Sequence, residues 1–151
     1  SIFRGAPNGD NVMSTTDEGG LTQLALDIQK RNQQFQQKLT EATLLVKSNP
    51  EQALVQLDQS WEEASQLEQD EFDFLGRMGD FGAQQIAATE NSWREIRLQI
   101  QFAKAQSLVF VGKYEEAQSQ INHARSDITD LTHPAALMLD ELEIGITELE
   151  T

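Results

Sequence analysis

Two histidines, a run of acids and one row of bases are the side chains in this 151-residue chain whose types and spacing invite chemistry. Asp80, Phe81 and Gly82 spell a tripeptide that holds magnesium in phosphoryl-transfer enzymes. The glycine-rich loop, strand lysine and catalytic-loop residues that must act with it are missing. Glu68, Asp70, Glu71 and Asp73 lack the alternating ligands, central glycine and closing glutamate of a calcium loop, so they read as a solvated helix end. His123 and His133 do not share a four-residue helical step, and neither ends a Glu-x-x-His pair, so no zinc or di-iron site is spelled out. No nucleophile motif or phosphate loop is present. The expectation is no catalytic residue, no metal and no cofactor.

The bases are more informative. Arg94, Arg97, Gln101 and Lys104 recur at steps of three, four and three, which puts them along one face of a helix beside its apolar stripe. Every charged residue between Ser48 and Gly76 is acidic, and so is every one after Arg125. An aligned basic row in such a chain could hold acidic side chains or a free C-terminal carboxylate of a protein partner, with Gln101 adding an amide contact. The competing arrangement pairs these bases with acids of the preceding helix.

Composition narrows the classes further. The net charge of -14 opposes phosphate backbones and anionic lipid, so neither nucleic acid nor a membrane is expected as partner. No cysteine is present, which excludes disulfides and thiolate-metal sites. No apolar run reaches the roughly 18–20 residues that span a bilayer, and no secretory signal pattern is seen. A cytoplasmic setting is the expectation. Ser1 stands where an initiating methionine would, which points to a processed, excised or tagged product, with Met13 either a native start or part of a linker.

The elements that must position the basic row are helices. Residues 1–20 are rich in Gly, Asn and Asp and have almost no apolar periodicity, which predicts a flexible leader ahead of a single helical domain over residues 21–151. Leu24, Ile28, Phe35, Leu39, Ala42 and Val46 form a stripe interrupted by a polar run over residues 29–34, so the middle of the first helix should be less buried than its ends. Asn49 caps a second helix with Pro50 in its first position and Gln52 placed for a capping box. Leu54, Leu57, Trp61, Ala64 and Leu67 share one of its faces. Gly76, Gly79 and Gly82 predict a loop, pinned by Met78 or Phe81. A third helix over residues 84–111 turns Ile86, Trp93, Ile96, Ile100 and Ala103 inward. A fourth runs from Tyr114 to Leu131 through Ala117, Ile121, Ala124 and Ile128. The last starts at Pro134, capped by Thr132 or His133, and buries Met138, Leu139, Leu142, Ile146 and Leu149. The fold class is therefore all-α, with five mostly antiparallel helices.

One stretch carries a family resemblance. Ala105, the break at Gly112, and Ala117, Ile121 and Ala124 fall where two antiparallel helices must approach closely, in a pattern that resembles a tetratricopeptide-type hairpin. A weaker match places Ala53, Leu57 and Ser60 in the second-helix positions of an earlier unit. The departures are Gln101, Lys104 and Leu108 in the first-helix positions, and Pro134 coming five residues late. Helices of about 25 residues would run about 38 Å, so this would be a divergent, long-helix relative. The resemblance implies a non-catalytic protein–protein interaction module, an adaptor or chaperone-like protein, docking a peptide or partner helix in an interhelical groove. The alternative is a homo-oligomer, a self-associating bundle or coiled-coil unit using the Gln-rich first helix.

Overall fold

The computed structural model describes residues 20–150. Five helices account for its regular structure: α1 (Leu21–Ser48), α2 (Pro50–Arg77), α3 (Asp80–Phe110), α4 (Tyr114–Ser126) and α5 (Pro134–Glu150). No strand occurs among the described residues, so the all-α expectation holds. The proposed leader lies outside them apart from Gly20. No helix among the described residues is long and apolar enough to cross a membrane.

Buried residues in α1 step evenly through Ala25, Ile28, Asn32, Phe35, Leu39, Ala42 and Val46. The expected dip in burial at the middle of this helix does not occur, because Asn32 occupies the stripe position there and is covered despite its amide. Asn49 then ends α1 and caps α2, its side-chain oxygen accepting the Gln52 N–H at 3.2 Å. Pro50 follows at the first helical position, where its missing N–H costs nothing.

The glycine-rich segment is nearly all helix, contrary to the expected loop. Only Met78 and Gly79 lie outside α2 and α3. Gly79 takes φ +63°, a conformation open to glycine, and lets the chain reverse in two residues. Asp80 then starts α3 earlier than expected, with its carboxylate at the positive end of the helix. Met78 packs on the cluster of Ala25, Ile28, Phe74 and Leu75, while Phe81 and Ile86 remain largely exposed.

α3 is the hub. Trp93, Ile96, Ile100 and Ala103 join the cores of α1 and α2, with the Phe35 and Trp93 rings 6.1 Å apart. Leu98, Ala105 and Leu108 face the other way, into a cluster with Ala117, Ile121, Ala124, Leu139 and Ile146. Gly112 at φ +83° ends the helix. The Lys113 N–H donates to the Leu108 carbonyl and the Gly112 N–H to that of Val109, the two bonds of a Schellman cap. Ala105, Ala117 and Ala124 are fully buried at the resulting α3–α4 contact, as their small size anticipates.

α4 stops at Ser126, five residues short of expectation. Its last turn tightens, with the Asp127 and Ile128 N–H groups donating to Ala124 and Arg125. Ser126 and Asp130 then engage nearby backbone through their side chains. Ile128 still packs on the core, but Leu131 is 88% exposed. In α5, Leu139 and Ile146 are buried and Leu142 is half-buried, whereas Met138 and Leu149 are exposed rather than inward.

Candidate interhelical groove

α2 and α4 both pack on α3, and no Cα of one lies within 8 Å of a Cα of the other. The gap between them is a groove of about 480 Å³ floored by α3. Arg97, Gln101 and Lys104 project into it from the floor; Trp61 stands on the α2 wall, and Gln120 and His123 on the α4 wall. A continuation runs past Lys104 and Gln120 to Leu54, Leu108 and Lys113. Three of the four residues singled out from sequence thus share one cleft. Arg94, a turn nearer the start of α3, is half-buried and does not line it.

The bases are also bound to α2. Arg97 donates through Nη1 to both carboxylate oxygens of Glu68, and Lys104 Nζ lies 2.8 Å from Asp58 Oδ1. A guanidinium has five N–H donors in a fork, so a contact confined to Nη1 leaves the Nη2 and Nε edge available. The ammonium of Lys104 likewise retains donors beyond the one facing Asp58. These pairs therefore hold the two cations in place without exhausting them. Gln101 is only 6% exposed, and its side-chain oxygen has no hydrogen-bond partner among the described residues. A buried acceptor left in that state costs about 1–3 kcal/mol.

The acids expected to be solvated are instead mostly spoken for. Glu71 is wholly buried and accepts the Trp93 indole N–H at 2.8 Å. Asp70 accepts from Arg31 at 2.8 Å, which ties α1 to α2, and Asp73 alone of the four is exposed. No group of three or more His, Cys, Asp or Glu side chains among the described residues is arranged to hold a metal ion.

His133 serves structure. His133 Nδ1 accepts the Ala135 N–H at 3.0 Å and so caps α5, while its Nε2 reaches Glu95 on α3 at 2.7 Å. With Nδ1 as acceptor, the ring proton must sit on Nε2 and point at the carboxylate. On the other side, Arg125 of α4 binds Asp140 at 2.7 Å and Glu143 at 2.8 Å. Hydrogen bonds from Arg125 and then Gln118 hold the Glu143 carboxyl below its ordinary range, and hydrogen bonds to Glu143 and then Asp140 raise Arg125.

Sequence spacing located the floor of the groove but not its walls. Trp61 reads from sequence as core, and Gln120 and His123 carry no local signal, because a wall exists only once two distant helices stand on either side of α3. Comparison with protein-family models, curated proteins and solved structures finds no match to this chain.

Proposed function

We propose that the chain is a non-catalytic protein–protein interaction module whose groove over α3 docks an acidic segment or free C-terminal carboxylate of a partner. The observation that carries this is the convergence of Arg97, Gln101 and Lys104 on the floor between two helices whose backbones stay more than 8 Å apart at every Cα. The short Schellman-capped hairpin of α3 and α4, built on small residues, supports a tetratricopeptide-like kinship and the peptide-docking role that goes with it. An incoming carboxylate would meet the unused edge of Arg97 in a bidentate contact and a remaining donor of Lys104. Gln101 would add an amide contact, and Trp61 would cover the peptide's flank.

Synthetic acidic peptides carrying either a free or an amidated C-terminus test this. Binding is followed by the fluorescence of half-buried Trp61, with buried Trp93 as a background common to all variants. Arg97→Glu should abolish binding, because truncating a desolvated Arg–carboxylate contact costs about 2–5 kcal/mol against about 0–1 kcal/mol for an exposed pair. Unchanged binding with a clear loss of thermal stability would reduce the row to intramolecular charge pairing.

A further inference from the structure

The side of α3 turned away from the groove borders a second space. Glu95, Gln99 and Phe102 each precede a groove residue by two positions, about 200° around the helix. Together with Leu98 they face the start of α5, where His133, Pro134, Ala135 and Met138 close a cleft of about 540 Å³. Leu139 and Ile146 seat α5 on the core further along. At its first turn, the bond from His133 Nε2 to Glu95 Oε1 at 2.7 Å bridges the two helices. Leu98 and Phe102 on one side and Pro134, Ala135 and Met138 on the other make the walls apolar. A volume of this size lies within the range of small-molecule sites, about 300–1,000 Å³.

The polar groups at one end select the ligand. Among the described residues that line the cleft, Glu95 is the one carboxylate, and no Lys or Arg lines it. His133 does not cancel that charge. Its Nδ1 accepts the Ala135 N–H, so the ring is neutral and donates to Glu95 through Nε2. The bond takes Oε1 and orients the carboxylate, which leaves Oε2 as an acceptor beside apolar walls. Gln99 lies one turn further along α3 on the same side, and its amide oxygen is a second acceptor. In the loop before α5, Asp130 adds another negative charge, its carboxylate held by the Thr132 N–H and hydroxyl. An anion would therefore meet repulsion and no base. An uncharged apolar molecule would cover the Glu95 carboxylate without pairing it, which is costly.

We infer that the cleft between α3 and the first turn of α5 binds a small amphipathic ammonium ion, an amine carried on an aliphatic or aryl body. Its N–H groups donate to Glu95 Oε2 and to the Gln99 oxygen, and its body lies on Leu98, Phe102 and Met138. Met138 is a flexible thioether, 44% exposed, that adjusts to the shape of that body. The apolar contact supplies affinity, and the carboxylate sets the preference for a cation over molecules of the same shape.

The probes are phenylbutylamine, phenylbutanol and phenylbutyrate, which share one body and differ in the charge of the head. Each is titrated at about pH 8, where a free histidine is neutral and an amine charged, into the full chain with its amide resonances followed by NMR. The amine should bind saturably, with shifts centred on residues 95–102 and 133–138, about fivefold more tightly than the alcohol, and the butyrate more weakly than both. Glu95→Gln keeps an oxygen to accept from His133 and removes the charge, so the amine should fall to the affinity of the alcohol. Glu90→Gln makes the same change in net charge at an exposed site on α3, and should alter amine binding by less than about twofold. Equal losses in the two variants would show attraction to the overall negative field and overturn the assignment. Ala135→Phe fills the cleft from α5 and should abolish binding of the amine and the alcohol alike; undiminished binding would place the ligand elsewhere. Equal affinities for amine and alcohol in the parent, shifts centred on the groove instead, or no saturable binding of the amine would each overturn it too.

Discussion

Replacing Gly82 with alanine should cost more than the same change at any other glycine among the described residues. Gly82 sits in the first turn of α3, where the chain has just reversed out of α2. A Cβ built there would lie 1.8 Å from the Leu75 carbonyl oxygen, 2.6 Å from its carbon and 3.0 Å from its Cα. All three are backbone atoms of α2, so no rotamer change relieves the clash. Reaching the 3.4 Å at which ordinary contact begins requires the two backbones to part by about 1.6 Å. That displacement falls beside Phe74 and Leu75, both fully buried, and strips part of their packing against Ala25 and Ile28. Overpacking in a side-chain core costs about 1–3 kcal/mol; with rigid backbone as the obstacle, we expect about 3 kcal/mol. For a chain of this length that is a fall of about 6–12 °C in melting temperature. The measurement is ellipticity at 222 nm against temperature and urea, with Gly76→Ala as control. Gly76 is helical, exposed and open to a new methyl group, so that change should stabilise by about 0.4–1 kcal/mol through helix propensity and unfolded-state entropy. If Gly82→Ala melts within about 0.5 kcal/mol of the parent, α2 and α3 do not approach as described, and the chain reversal at Gly79 would need redrawing.

Two further outcomes follow from packing and charge. Ala124→Leu should destabilise by about 1–3 kcal/mol in the same melts, since Ala124 is buried where α4 lies against α3; a fully stable variant would remove that contact from the core. Acidification should loosen α5 before the other helices. The folded-state value of Glu143 is depressed, so its stabilising contribution is complete above the ordinary glutamate value of about 4.3 and is lost as pH falls through the lower folded value. Amide exchange in α5 should therefore accelerate below about pH 4, and Glu143→Gln should remove most of that acceleration. Uniform acceleration across all five helices, unaltered by Glu143→Gln, would show that general charge repulsion governs instead.

What the sequence determined by itself was periodicity and punctuation. The three-and-four spacing of α1, the Asn49–Pro50 start of α2, the glycine that ends α3 and the three alanines of the α3–α4 contact are local properties. Each depends on backbone geometry within a few residues, and each stands where the spacing put it. The alignment of Arg97, Gln101 and Lys104 was legible for the same reason. Tertiary structure decided what competes or who faces whom. Asn32 is buried because α1 needs a residue at that stripe position, whatever its polarity. The period of α4 runs on to Leu131, but short-range bonds from Ser126 and Asp130 end the helix first. Three glycines in seven residues read as a loop, yet Gly82 is there because two backbones nearly touch, a demand set by the α2 carbonyl at Leu75. Glu71 reads as a surface acid and is buried because the Trp93 indole, 22 residues away, arrives to meet it. The groove itself has no sequence signature. It is the space left when α2 and α4 both pack on α3 with their backbones held apart.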